Sequence, residues 1–163
     1  MSTIYKNLSD FSDTNIPSAK GYRFGIVVSE WNREITESLY EGAVQTLLAH
    51  GAEEEAIIRV NVPGSFELTC GAEMLASKIS CDAIICLGCV IQGETRHFEF
   101  ICHAVAAGLT QLTVKHGKSF VFGVLTPDTM QQALDRAGGK HGNKGDEAAV
   151  TAIKMASLAR RLS

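Results

Sequence analysis

The segment Gly88-Cys89-Val90-Ile91-Gln92-Gly93-Glu94-Thr95-Arg96-His97-Phe98 sets an imidazole beside an anion cradle. An apolar run, 83–87, precedes it and reads as a buried strand. Apolar residues at helical spacing follow it: Phe98, Ile101, Cys102, Val105, Leu109 and Leu112. A strand, a Gly/Thr turn and a helix start present free N–H groups together, which suits a phosphate at Gly93, Glu94 and Thr95. His97 falls in the first helical turn. An imidazole so placed is within reach of a ligand in the cradle for proton transfer. The chemistry this implies is proton transfer on a phosphorylated small molecule; the plainer alternative is a surface histidine.

Two apparent motifs in the same stretch are discounted. Gly88 to Thr95 has the spacing of a nucleotide-binding P-loop, but Glu94 stands where that loop needs a lysine for the terminal phosphates. Cys86 and Cys89 have CxxC spacing inside an apolar strand, so they face opposite sides and share neither a metal nor a bridge.

The elements that must position this chemistry alternate in type. Strands are predicted at 24–28, 56–62, 83–90 and 119–125. The first helix keeps Ile35, Leu39, Gly42, Ala43, Thr46 and Leu47 on one face; the second keeps Leu68, Gly71, Ala72, Leu75, Ala76 and Ile79 together. A later helix is predicted from Thr126-Pro127-Asp128, with Thr126 as cap, to about Arg136. A final one covers about 145–160. Alternation of this kind predicts an α/β fold with a four-stranded parallel sheet and helices on both faces, bound by ligands outside the strands' carboxyl ends.

The residues expected along that rim are Trp31-Asn32, Ser65-Phe66-Glu67, the 93–97 turn and Thr126-Pro127-Asp128. An aromatic plate with hydrogen-bonding neighbours suits a flat heterocycle. Trp31 has the alternative of capping the core, and Glu67 that of serving the helix dipole alone. A second cationic cluster comprises Arg136, Lys140, His141, Asn143 and Lys144, whose plainer reading is a basic helix end and a solvated turn. A ten-residue helix would carry Arg136 roughly 15 Å down the sheet, away from its own chain's His97. If Arg136 or Lys144 serves the site, a neighbouring subunit must supply it.

Bulk properties exclude several classes. The formal net charge is −3, from 15 basic and 18 acidic residues, which leaves no footprint for nucleic acid or an anionic membrane. No apolar run approaches the roughly 20 residues that span a bilayer. The start of the chain lacks the basic and apolar regions of a signal peptide. Five cysteines make an odd number, which argues against a closed disulfide framework and fits a reducing cytoplasm. Residues 1–20 show no periodicity and are expected to be a flexible arm; 21–163 form one domain.

From about residue 22 to 162 the chain resembles the 6,7-dimethyl-8-ribityllumazine synthase family. The segments that carry the resemblance are 24–32, 62–67, 88–98, 122–126 and 136–145, in the family's order and spacing. Departures are Gln92, where many relatives have arginine, and Trp31, where many have phenylalanine. The resemblance implies a flavodoxin-like three-layer sandwich and a condensation without metal, nucleotide or redox cofactor. The two small-molecule substrates would be 5-amino-6-(D-ribitylamino)uracil and 3,4-dihydroxy-2-butanone 4-phosphate. Trp31 matches the stacking position. Asn32, Ser65, Phe66 and Glu67 match positions that hold the ribityl chain and its surroundings, and the backbone of Val90 and Ile91 the uracil edge. Gly93, Glu94 and Thr95 match the phosphate turn, and His97 the proton-transfer histidine.

From the adjacent subunit, Phe122 would close the aromatic sandwich, Arg136 would pair with the phosphate and Lys144 would add a cationic contact. The resemblance further implies a homopentamer with sites at its interfaces, and brings an association with riboflavin synthase into view. The short link 138–143 resembles members whose pentamers build icosahedral shells. Two readings from other classes stay open: a flavin or nucleotide carrier without catalysis, and a shell subunit whose activity has been lost.

Overall fold

The computed structural model describes residues 7–12 and 15–163. Strands β1 (Phe24–Ser29), β2 (Ile57–Val62), β3 (Ala83–Cys89) and β4 (Ser119–Leu125) form one parallel sheet in the order β2-β1-β3-β4. Every residue of β1 and β3 is buried, as two-sided coverage of a parallel sheet requires. The sheet separates two apolar clusters. On one face Phe24, Ile26, Ile85 and Leu87 pack with Leu39 and Leu47 of helix α1 (Arg33–Ala49) and with Ala149 and Ile153 of helix α5 (Lys144–Leu162). On the other face Val27, Ile84, Cys86 and Phe120 pack with Leu68 and Leu75 of α2 (Leu68–Lys78) and with Val105 and Leu109 of α3 (His97–His116). The expected three-layer α/β arrangement, with helices on both faces, is therefore the one found.

Cys86 and Cys89 fall in the two different clusters, which is what strand alternation predicts. Burial raises both thiols, that of Cys89 to about 12, so neither is a ready nucleophile.

The predicted helix from Thr126 is replaced by a shorter one. Helix α4 spans Met130–Leu134, and its cap is Thr129, whose hydroxyl accepts from the Gln132 amide at 3.2 Å. The reason lies in the sheet: Val90 and Gln92 donate to the carbonyls of Leu125 (2.8 Å) and Pro127 (2.9 Å), which holds 125–127 extended. Five residues rise only about 7.5 Å, so the length expected to separate Arg136 from the rim is halved. A small antiparallel hairpin then intervenes, β5 (Ala137–Gly139) with β6 (Gly142–Asn143).

Part of the expected arm, residues 1–6, 13 and 14, lies outside the described residues. Elsewhere in it the Leu8 amide donates to His141 at 2.7 Å, the Ala19 amide donates to His50 at 2.8 Å, and Ala19 is fully buried.

Candidate active site

Strands β1 and β3 are neighbours, yet the chain leaves β1 toward β2 and leaves β3 toward β4. Their carboxyl ends therefore make a topological switch point, where a crevice opens between diverging connections. A cleft of about 920 Å³ lies at these ends. Trp31, Asn32, Ser65, Phe66, Glu67, Val90, Ile91, Gly93, Thr95 and His97, all expected from the sequence, line it together.

Each wall is fixed by backbone bonds that prolong the sheet. Glu30 and Trp31 donate to Val62 (2.8 Å) and Pro63 (3.1 Å), which ties the Trp31 loop to the 63–67 turn. Trp31 is 72% exposed, so the core-cap alternative is removed and its ring is available as a plate. Ser65–Glu67 forms a single tight turn that packs against Gly88. A Cβ at Gly88 would stand 2.7 Å from the Ser65 hydroxyl, so only glycine lets β3 come this close. The Ser65 hydroxyl is buried without a hydrogen-bond partner among the described residues.

The floor is the extended segment after β3. Because the amides of Val90 and Gln92 face β4, that of Ile91, between them, faces the opposite way, toward the cleft. No hydrogen bond among the described residues claims it. Asn32 sits in the left-handed region (φ 57°, ψ 47°), and its side-chain amide donates to the Cys89 carbonyl at 2.9 Å. That leaves the Asn32 side-chain oxygen as its group for a ligand.

His97 is the first residue of α3 and is exposed at the cleft. Arg96 caps the helix without a side-chain bond, and the Thr95 hydroxyl accepts weakly from the His97 amide at 3.4 Å. The amide of Phe98 has no partner among the described residues, so the 20-residue helix directs a free donor and its positive end at the turn. Glu94 is exposed in the turn but does not line the cleft.

Phe122, Arg136 and Lys144 stand elsewhere. They line a second cavity of about 330 Å³ with Leu8, Val124, Leu125, Thr126, Pro127 and Gln132. The two cavities share no residue. Arg136 donates to the Gln132 carbonyl at 3.1 Å and has no carboxylate partner among the described residues; Lys144 pairs with Glu147 at 2.8 Å. An unpaired guanidinium beside an ammonium in a half-enclosed cavity is suited to an anion.

Sequence reasoning missed Phe98, Phe100 and Ile101 as cleft residues and Leu8 as a wall of the second cavity. Phe98 and Ile101 were absorbed into the core stripe of α3. Phe100 lies off that stripe one turn beyond His97 and is 69% exposed, a placement its spacing could have revealed. Nothing in the pattern around Leu8 marked it.

Residues 21–160 match the family model described as 6,7-dimethyl-8-ribityllumazine synthase. The chain is similar to proteins of that name from Cytophaga hutchinsonii (63% identity over 95% of this chain and 97% of the relative) and Parabacteroides distasonis (54% over 97% and 99%). A third, from Flavobacterium johnsoniae, is 52% identical over 100% of this chain and 86% of its own length.

Proposed function

Since the chain belongs to the 6,7-dimethyl-8-ribityllumazine synthase family, we propose that its cleft binds the ribitylaminouracil and its cationic cavity serves the phosphate of the second substrate, across an interface between copies. The enzyme is a transferase of riboflavin biosynthesis. It condenses 5-amino-6-(D-ribitylamino)uracil with 3,4-dihydroxy-2-butanone 4-phosphate and releases phosphate and water. The observation that carries the site assignment is the meeting of the Trp31 plate, the Ile91 amide and His97 in one cleft, none of them used to hold the fold together.

In this reading the pyrimidine stacks on Trp31 with its edge on the backbone of Val90 and Ile91. Asn32, Ser65, Phe66 and Glu67 hold the ribityl chain and its surroundings. The substrate amine attacks the ketone and loses water to give an imine. His97 accepts and returns protons as phosphate departs and the ring closes. The 93–95 turn and Arg136 stabilise the departing phosphate, and Phe122 and Lys144 complete the enclosure. Holding two reactants aligned supplies effective molarities of roughly 10⁵ M or more.

Two separate cavities on one chain support completion by a second copy: a cleft rich in hydrogen-bonding groups but lacking a cation, and cations lacking a cleft. Exposed Phe100 and Val114 on α3 offer apolar surface for such assembly. A homopentamer, its further closure into an icosahedral shell and an association with riboflavin synthase belong to the same proposal. So does the cytoplasm, supported by five free cysteines and by the absence of a described helix long and apolar enough to cross a membrane.

The test is a rate assay with both substrates, following lumazine absorbance and phosphate release above the uncatalysed background. Acceleration that collapses in Arg136→Ala is expected. A folded oligomer without acceleration would favour the carrier or the inactive shell subunit instead.

A further inference from the structure

One wall of the cationic cavity comes from the start of the chain. Leu8 lines it beside Phe122, Arg136 and Lys144, and only 7% of Leu8 is exposed. Asn7 begins a folded turn: its side-chain oxygen accepts from the Ser9 amide at 2.8 Å, and its carbonyl accepts from the Asp10 amide at 3.2 Å. The turn grips the β5–β6 hairpin at two points. The Leu8 amide donates to the His141 carbonyl at 2.7 Å, and the Ser9 hydroxyl accepts from the Asn143 amide at 2.9 Å. Gly142 makes the approach feasible. Its φ is +80°, and a Cβ there would strike the Asn7 side chain and stand 2.7 Å from the Ser9 nitrogen.

That hairpin joins the two cations. Arg136 precedes it and Lys144 follows it, and the Lys144 amide donates to the Arg136 carbonyl at 2.8 Å to close its base. Strands of three and two residues with a bulge cannot hold their own geometry in water. Helix α1 supplies one support, since the Ser38 hydroxyl donates to the Ala137 carbonyl at 2.6 Å and the Asn143 side-chain amide donates to the Ser38 carbonyl at 2.9 Å; the 7–9 turn supplies a second. Leu8 also keeps water from one side of the cations, which strengthens their pull on an anion.

We infer that residues 7–9 are a clasp on the 137–143 hairpin that positions Arg136 for the phosphate-bearing substrate. The inference rests on the assignment of Arg136 to the phosphate. Leu8 and Ser9 are positioning residues: they touch the hairpin and not the reacting atoms.

The experiment measures KM for each substrate separately in the full-length oligomer, for Leu8→Ala, Leu8→Ile, Ser9→Ala and Arg136→Ala. Ser9 is exposed, so its variant keeps the fold if Leu8→Ala does not. Loosened positioning raises KM for 3,4-dihydroxy-2-butanone 4-phosphate roughly three- to tenfold in Leu8→Ala and Ser9→Ala, and leaves that for the pyrimidine unchanged. Leu8→Ile restores it. Unchanged KM values, or an equal rise for both substrates, overturn the clasp. If Arg136→Ala also leaves the phosphate-substrate KM unaltered, the cavity is not the phosphate site, and the inference falls with that assignment.

Discussion

The side-chain amide of Asn32 donates to the main-chain carbonyl of Cys89 at 2.9 Å, and so ties the end of β1 to the end of β3 at the switch point. Asn32 is also the one non-glycine residue with positive φ among the described residues. The left-handed conformation turns the chain from β1 directly into α1 and leaves Trp31 standing at the rim. Two effects of opposite sign therefore meet at this position: a hydrogen bond that stabilises and a backbone conformation that costs about 1 kcal/mol for a residue with a Cβ.

Substitution separates them. Asn32→Gly relieves the backbone while losing the bond, and its thermal midpoint is expected to stay close to that of the parent. Asn32→Ala loses the bond and keeps the strain, for a loss of about 1–2 kcal/mol. Both variants should raise KM for the pyrimidine. Equal stability of the two variants would show that the left-handed turn carries no cost here.

His97 stands at the N-terminus of α3 with its ring exposed to the cleft. General acid–base help is typically worth about 10²–10⁴-fold, which is smaller than what alignment of two reactants supplies. His97→Ala is therefore expected to slow turnover by that range and still exceed the background. Turnover reduced to background, with oligomer and pyrimidine binding intact, would make proton transfer the dominant contribution instead.

A carboxylate away from the site sets part of the acid limit. The hydrogen bonds from Arg59 to Glu37, at 2.6 and 2.9 Å, hold the Glu37 carboxyl below its usual range, with the Arg59 and Arg33 charges adding to them against the effect of burial. A lowered folded-state pKa means that the stabilisation is fully present above the unfolded value of about 4.3 and is lost as pH falls through the folded one. The partners are about a third exposed, so its size is about 1 kcal/mol or less. Glu37→Gln should lower the thermal midpoint at pH 7, and the gap from the parent should close as pH falls from about 5 to below the unfolded value. A gap that stays constant over that interval would exclude the pair as the source.

The layers and most of the cleft were legible in the sequence because local rules govern them. Apolar runs placed β1, β3 and β4 nearly to the residue, and strand alternation assigned Cys86 and Cys89 to opposite faces. Loops after parallel strands must share one rim, which brought Trp31, Glu67 and His97 together. The illegible parts depend on contacts distant in the chain. Thr126-Pro127-Asp128 carries every local signal of a helix start, yet pairing with 90–92 holds it extended and moves the cap to Thr129. Leu8 sits in a polar stretch without periodicity, and only its contact with a hairpin more than a hundred residues away gives it a place.

The central claim is that one copy's cleft works with another copy's cations, and mixed oligomers test it most directly. One component would carry Trp31→Ala with His97→Ala, which disables the cleft; the other would carry Arg136→Ala, which disables the cationic cavity. Unfolded together and reassembled in equal amounts, they should regain about one quarter of the parent activity, since half of the clefts are intact and half of their neighbours supply Arg136. Activity no greater than the sum of the separate variants, in oligomers shown to be mixed, would mean that each chain carries its whole site alone.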